Sequence, residues 1–128
     1  MITVLPDKDY EKCPLINSKY SNDTFVFTAK DGEEYLGYGA VKMSETYAEI
    51  VEIKCVQGFD MLDHGIGKAL LNFVERRGVY HTLCCLGEKE SLLKRLGFKI
   101  AENEWAEIIP ENEKVFYLNL EGYFDKHC

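Results

Sequence analysis

No apolar run in the 128 residues approaches the length needed to cross a bilayer, although 46% of the residues are hydrophobic. The start, Met1-Ile2-Thr3-Val4-Leu5-Pro6-Asp7, has neither the basic nor the apolar stretch of a secretory leader. Both absences give the expectation of a cytoplasmic protein without a membrane partner. Basic residues are scarce too, with 15 Lys and Arg against 22 Asp and Glu and a net charge of −7. No basic stripe is present to release counterions from a nucleic acid, so that class of partner is not expected. An acidic surface can steer a cationic amine, but solubility alone accounts for it. The five cysteines are odd in number and lack framework spacing, which reads as reduced thiols. His81 and Cys84 have a loose metal-like spacing, yet in a strand they point to opposite faces, and two ligands do not make a metal site. Linkers, repeats and low-complexity segments are missing as well. One domain over 1–128 is the expectation, long enough for a core and too short for two.

What is present is a clear succession of periodic segments. Ile2–Leu5 alternates as a short strand, and Asp7–Cys13 suits a helical turn or two before Pro14. Residues 17–23 are polar and loop-like. Thr24–Lys30 is a strand with Phe25 and Phe27 on one face and Val26 on the other. Asp31-Gly32 marks a hairpin, and Tyr35–Met43 returns with Gly37 and Gly39 signalling a bulge or a close backbone approach. Tyr47–Val56 follows as a central strand. A helix is predicted over Gly65–Arg77, with Gly78 as its left-handed cap. Val79–Leu86 is a near-continuous apolar run suited to a strand covered on both faces and parallel to the central one. A second helix over Glu88–Leu96 ends at Gly97, where Phe98 can pack back on Leu93. Phe98–Ala101 reads as a strand, 102–112 as irregular around Trp105 and Pro110, and Val115–Leu120 as an alternating strand. Residues 121–128 read as a tail.

The informative stretch is the central strand, a short loop and then Gly65-Ile66-Gly67-Lys68 at the start of the longest helix. Strand, glycine pair and helix form an arrangement for holding an anion against first-turn N–H groups. A Walker loop is excluded, because Ala69 follows Lys68 and Leu62 stands where the earlier glycine belongs. A dinucleotide fingerprint is excluded by Leu70 at its third glycine. What remains, Leu62-Asp63-His64-Gly65-Ile66-Gly67, resembles motif A of the GNAT superfamily of acyl-CoA-dependent N-acetyltransferases. Ser91-Leu92-Leu93-Lys94-Arg95-Leu96-Gly97-Phe98 is similar to that family's motif B, in the same order and one strand later. The predicted succession of strands and helices agrees with the family independently of the motif residues. The implied fold is α/β and GNAT-like, a mixed sheet of roughly six to seven strands flanked by three to four helices.

The resemblance implies acetyl-CoA as co-substrate, no metal, and transfer of its acetyl group to a primary amine by direct attack. It places the diphosphate on Asp63, His64, Gly65, Ile66, Gly67 and Lys68, and the pantetheine arm along the backbone of Ile53, Cys55 and Val56. A carboxylate must take the proton of the amine, since an ammonium has no lone pair to attack with. Glu52 and Glu49 lie on the central strand and, three apart, are expected on opposite faces, with Glu52 nearer the thioester end. The family's motif B tyrosine is Leu93 here, so Tyr117 on the last strand stands in as the candidate acid; Leu86 replaces the asparagine after the fifth strand. The aromatic residues of the C-terminal third, Trp105 among them, suit a core or an acceptor pocket. Two rival readings stay open: a degenerate CoA-binding sensor, and a scaffold that pairs with another chain without binding cofactor. The acceptor is a small molecule or a peptide, and the resemblance also allows a homodimer through the late strands.

Overall fold

The computed structural model describes residues 1–59, 61–109 and 114–127, with side chains described as far as residue 125. Pro110, residues 111–112 of the acidic segment, and Cys128 therefore lie outside the described residues. In chain order the elements are β1 (Ile2–Pro6), a 3-10 turn (Tyr10–Lys12), β2 (Thr24–Asp31), β3 (Glu34–Met43) and β4 (Tyr47–Cys55). Then come α1 (Leu62–Arg76), β5 (His81–Cys84), a 3-10 turn (Gly87–Lys89), α2 (Glu90–Leu96), β6 (Lys99–Ile100), α3 (Glu104–Glu107), β7 (Phe116–Asn119) and α4 (Tyr123–His127). Among the described residues the strands make one seven-stranded sheet, in the order β1-β2-β3-β4-β5-β7-β6. Every neighbouring pair is antiparallel except β4 with β5.

One face of the sheet is covered by α1. Ile66, Leu70, Leu71 and Val74 recur at helical spacing and are fully buried, each stabilising the fold by about 1.5–3 kcal/mol through burial. The helix comes this close because β3 is bare where they cross. A Cβ on Gly39 would stand 2.6 Å from Cγ2 of Ile66 and 2.9 Å from Cδ1 of Leu70. Phe25 and Phe27 face the same side and set their rings 4.9 and 5.4 Å from Phe73. Helix α2 shares this layer through Leu92, Leu93 and Leu96, and Leu118, Leu120 and Tyr123 complete the core. The other face carries two smaller clusters, one under the segment 10–20 and one under α3.

Both helix stops work as the sequence predicts. Gly78 has φ 77° and Val79 N–H reaches back to Val74 O at 3.3 Å; Gly97 has φ 108° and Phe98 N–H reaches Leu93 O at 2.9 Å. These are the long hydrogen bonds of a Schellman cap. Starts and lengths need correction. Helix α1 begins at Leu62, not Gly65, because Met61 turns the chain at φ 65° and buries Leu62 against the sheet. Strand β5 is four residues rather than eight, since Val79 is spent on the cap of α1 and Gly87 already belongs to the next turn. The short helices α3 and α4 arise where irregular chain and a tail were expected. Strand β7 lies inside the sheet, with β5 on one side and β6 against Phe116 and Tyr117 on the other, so among the described residues only its Leu118–Asn119 end offers an outer edge to a second copy.

Candidate functional site

Strands β4 and β5 pair only from Tyr47–Ile50 to His81–Cys84. Beyond Ile50, β4 runs on to Cys55, while β5 turns away into the 3-10 turn at Gly87. The result is a gap in the sheet with one strand edge left open. Val56 N–H donates to Leu36 O on β3 at 2.8 Å. Strand alternation then aims the backbone groups of Ile53 and Cys55 the other way, into the gap. Of the backbone positions expected for an extended ligand, Ile53 and Cys55 therefore face it, and Val56 does not.

A bulge at Val51 changes the relation of the two glutamates. The register passes from Val41 opposite Ile50 to Ala40 opposite Glu52, leaving Val51 as the extra residue. Glu49, opposite Lys42, and Glu52 consequently lie on the same face, the one away from α1, and not on opposite faces. Burial pushes the Glu49 carboxyl above its ordinary range, against a smaller downward pull from Lys42. Glu52 turns its Oε1 back onto the N–H of Ile53 at 3.1 Å. Beside it, the hydroxyls of Tyr38 and Tyr20 are both pushed up, mainly by burial and further by the nearby Glu52.

The first turn of α1 closes the end of the gap. Because the helix starts at Leu62, the N–H of Gly65 is already inside it, bonded to Met61 O at 3.0 Å. The open-ended donors are those before it. Leu62 N–H goes to Phe59 O at 3.4 Å, and His64 N–H to Oδ1 of Asp63 at 2.7 Å. The thiol of Cys55, at the end of β4, is pushed up by burial first and by the charge of nearby Asp63 second. Asp63 is thus not the N-cap but a carboxylate laid over its own helix end. Its Oδ2 stands 3.6 Å from Nη2 of Arg95, and Nη1 of Arg95 meets the Met61 sulfur at 3.1 Å.

The two glycines have different functions. A Cβ on Gly65 meets nothing, whereas a Cβ on Gly67 would lie 2.7 Å from Cδ1 of Leu96, so Gly67 serves the contact of α1 with α2. Ile66 is core, and Lys68 holds its Nζ over the Tyr123 ring at 4.6 Å, away from the gap. Arg95, and Lys89, whose charge reaches Cys55, are the cations that the sequence reading missed. Arg95 stands in the last turn of α2 and Lys89 at the end of the 3-10 turn before it, and neither position carries a local mark beyond its charge.

Tyr117 sits in one row with Leu83 and Glu49 across β7, β5 and β4. Two strand spacings separate it from β4, roughly 10 Å. Its hydroxyl is held on Nδ1 of His81 at 2.6 Å, under Trp105, whose ring lies 4.6 Å from His81 and 5.5 Å from Tyr117. This aromatic group is packed and bonded to itself. A cavity of about 460 Å³ lined by Ile100, Asn103, Trp105 and Tyr117 opens on its outer side. A larger one of about 540 Å³, lined by Tyr10, Tyr20, Phe25, Phe73 and Arg77, lies at the β2 side of α1.

No family model matches the sequence, and no curated protein sequence matches it. Solved structures do match. A GNAT family acetyltransferase from Elizabethkingia anophelis with acetyl-CoA bound superposes with a TM-score of 0.70 at 17% identity, over 93% of this chain and 98% of that one. A Bacillus subtilis acetyltransferase in complex with CoA gives 0.70 at 18% identity over 94% and 99%. The ribosomal-protein-S18-alanine N-acetyltransferase from Escherichia coli gives 0.67 at 12% over 93% and 94%. The chain has the GNAT fold, in a divergent sequence.

Proposed function

We propose that residues 1–128 form one acyltransferase domain that moves an acetyl group from acetyl-CoA to a primary amine by direct attack. The observation that carries this reading is the open β4 edge beyond Ile50, whose last residue, Cys55, lies close enough to the first turn of α1 for its thiol to feel the charge of Asp63. In this reading the pantetheine arm lies along Ile53 and Cys55, and the Ile53 N–H polarises the thioester carbonyl. The diphosphate rests over Asp63, His64 and the open surface of Gly65, with Arg95 and Lys89 supplying charge. Asp63 must first leave the His64 amide. Gly67, Ile66 and Lys68 support this turn through packing and do not touch the ligand.

The amine approaches from the face opposite α1, where Glu49 lies. A carboxylate whose pKa is raised by burial is a better proton acceptor for an ammonium than an ordinary one, and Glu49 is the base we assign. Tyr117 is left out, because its hydroxyl is engaged by His81. A thiolate with a pKa of about 8.5 leaves without an acid.

A second reading has its own observation. The first-turn donors at Leu62 and His64 are taken by the chain itself, as a GNAT-folded scaffold that binds no cofactor would have them. Calorimetry with acetyl-CoA and CoA separates the two readings, and thiol release with a panel of amines separates enzyme from sensor. Gly65→Glu is expected to fold and to lose CoA binding, since its Cβ meets no atom within 4 Å and the carboxylate would stand on the ligand's path. Wild-type affinity in that variant, or no binding by the wild type at millimolar ligand, sinks the transfer reading.

A further inference from the structure

One of the two β4 amides that face the gap is already in use. Ile53 N–H donates to Oε1 of Glu52 at 3.1 Å, so the carboxylate of the preceding residue lies where a thioester carbonyl would reach that donor. The Val51 bulge makes this possible. It turns Glu52 to the face opposite α1, beside Tyr20 and Tyr38, from where the side chain folds back on the next amide. Glu49, one turn of the pleat earlier, makes no such bond and stands opposite Lys42. The two glutamates on this face thus have different occupations.

Resting on the acyl-transfer reading above, we infer that Glu52 is a displaceable gate on the thioester subsite and not the proton acceptor. Its carboxylate holds the Ile53 N–H until an acyl carbonyl takes that amide, and then swings toward Tyr20 and Tyr38. A carboxylate is a stronger acceptor than a thioester oxygen, so the gate opposes acyl-CoA. Free CoA has a thiol in place of the carbonyl, makes no use of the amide, and leaves the gate closed. The negative charge in the gap also rejects acyl groups that end in a carboxylate, which biases the subsite toward short neutral acyl chains.

The test pairs Glu52→Ala with Glu52→Gln, which keeps an acceptor of the same shape without the charge. First, the Ile53 amide is followed by NMR without ligand: Glu52→Ala moves its resonance upfield and speeds its exchange. Second, calorimetry is run with acetyl-CoA and with CoA. Glu52→Ala tightens acetyl-CoA about tenfold, the size of one charge-assisted hydrogen bond, with Glu52→Gln between it and wild type and CoA within about twofold. In steady-state kinetics the change falls on KM for acetyl-CoA. An unmoved Ile53 amide overturns the gate, as does an equal shift for both ligands. A hundredfold loss in kcat with affinities unchanged overturns it too, and makes Glu52 the base. If neither ligand binds wild type or variant, the transfer reading itself falls, and the gate with it, whatever the amide does.

Discussion

Glu49 is half-buried on the face opposite α1, and burial outweighs Lys42 in setting its pKa upward. The sign of its effects follows from that direction. Ionising it costs more in the folded chain than in the unfolded one. Its contribution to stability is therefore complete below the ordinary glutamate range and is lost as pH rises through its raised folded pKa. Glu49→Gln should gain on wild type in thermal denaturation as pH rises from acid to neutral, and the two should converge in acid. In turnover the same variant should lose about a hundredfold or more, together with the rise in rate that deprotonation of Glu49 gives the wild type. Parallel stability curves, or a wild-type pH profile in the variant, would remove Glu49 from this role. Both glutamates were legible in the sequence as candidate bases, but their common face was not. Alternation puts residues three apart on opposite sides, and a single extra residue at Val51 reverses this. That bulge is set by pairing with β3, which lies outside any local pattern.

The elements were more legible than their ends. Gly78 and Gly97 stop their helices with the hydrogen bonds that a glycine after an amphipathic run predicts. The start of α1 carries no such mark, since Met61 takes the left-handed conformation without being glycine or asparagine. The contact of α1 with the sheet separates two glycines that look alike in sequence. Gly39→Ala should cost about 1–3 kcal/mol in chemical denaturation, because its methyl group would enter Ile66 and Leu70 on a packed helix. Gly65→Ala should be neutral or stabilise by up to about 1 kcal/mol, since its methyl group meets nothing and alanine favours helix. Equal effects at both positions would mean that α1 does not rest on β3 as described. The glycines of motif A are divided in the same way, with Gly65 open and Gly67 against Leu96. Sequence spacing treats them as a pair; only the neighbouring helix tells them apart.

On the scale of the whole molecule, the chain closes on itself through a segment that reads as a tail. Tyr123 is 5% exposed, belongs to the main core, and donates its hydroxyl to Leu96 O at 2.5 Å. It also lies under Lys68, so α4 ties β7, α1 and α2 together. Tyr123→Phe should cost about 1 kcal/mol, and Tyr123→Ala about 3–5 kcal/mol, measured by denaturant unfolding. A loss below 1 kcal/mol for the alanine variant would make α4 an appendage. The order and type of the main elements, the faces of β2 and β7, and the likeness to a GNAT chain were determined by the sequence alone, because periodicity, caps and motif order are local properties. Tertiary structure alone decided which carboxylates share a face, where the β4–β5 gap opens, and that Glu52 and Asp63 lie on the amides of Ile53 and His64. Those outcomes depend on strand register and helix placement, which join residues far apart in the chain.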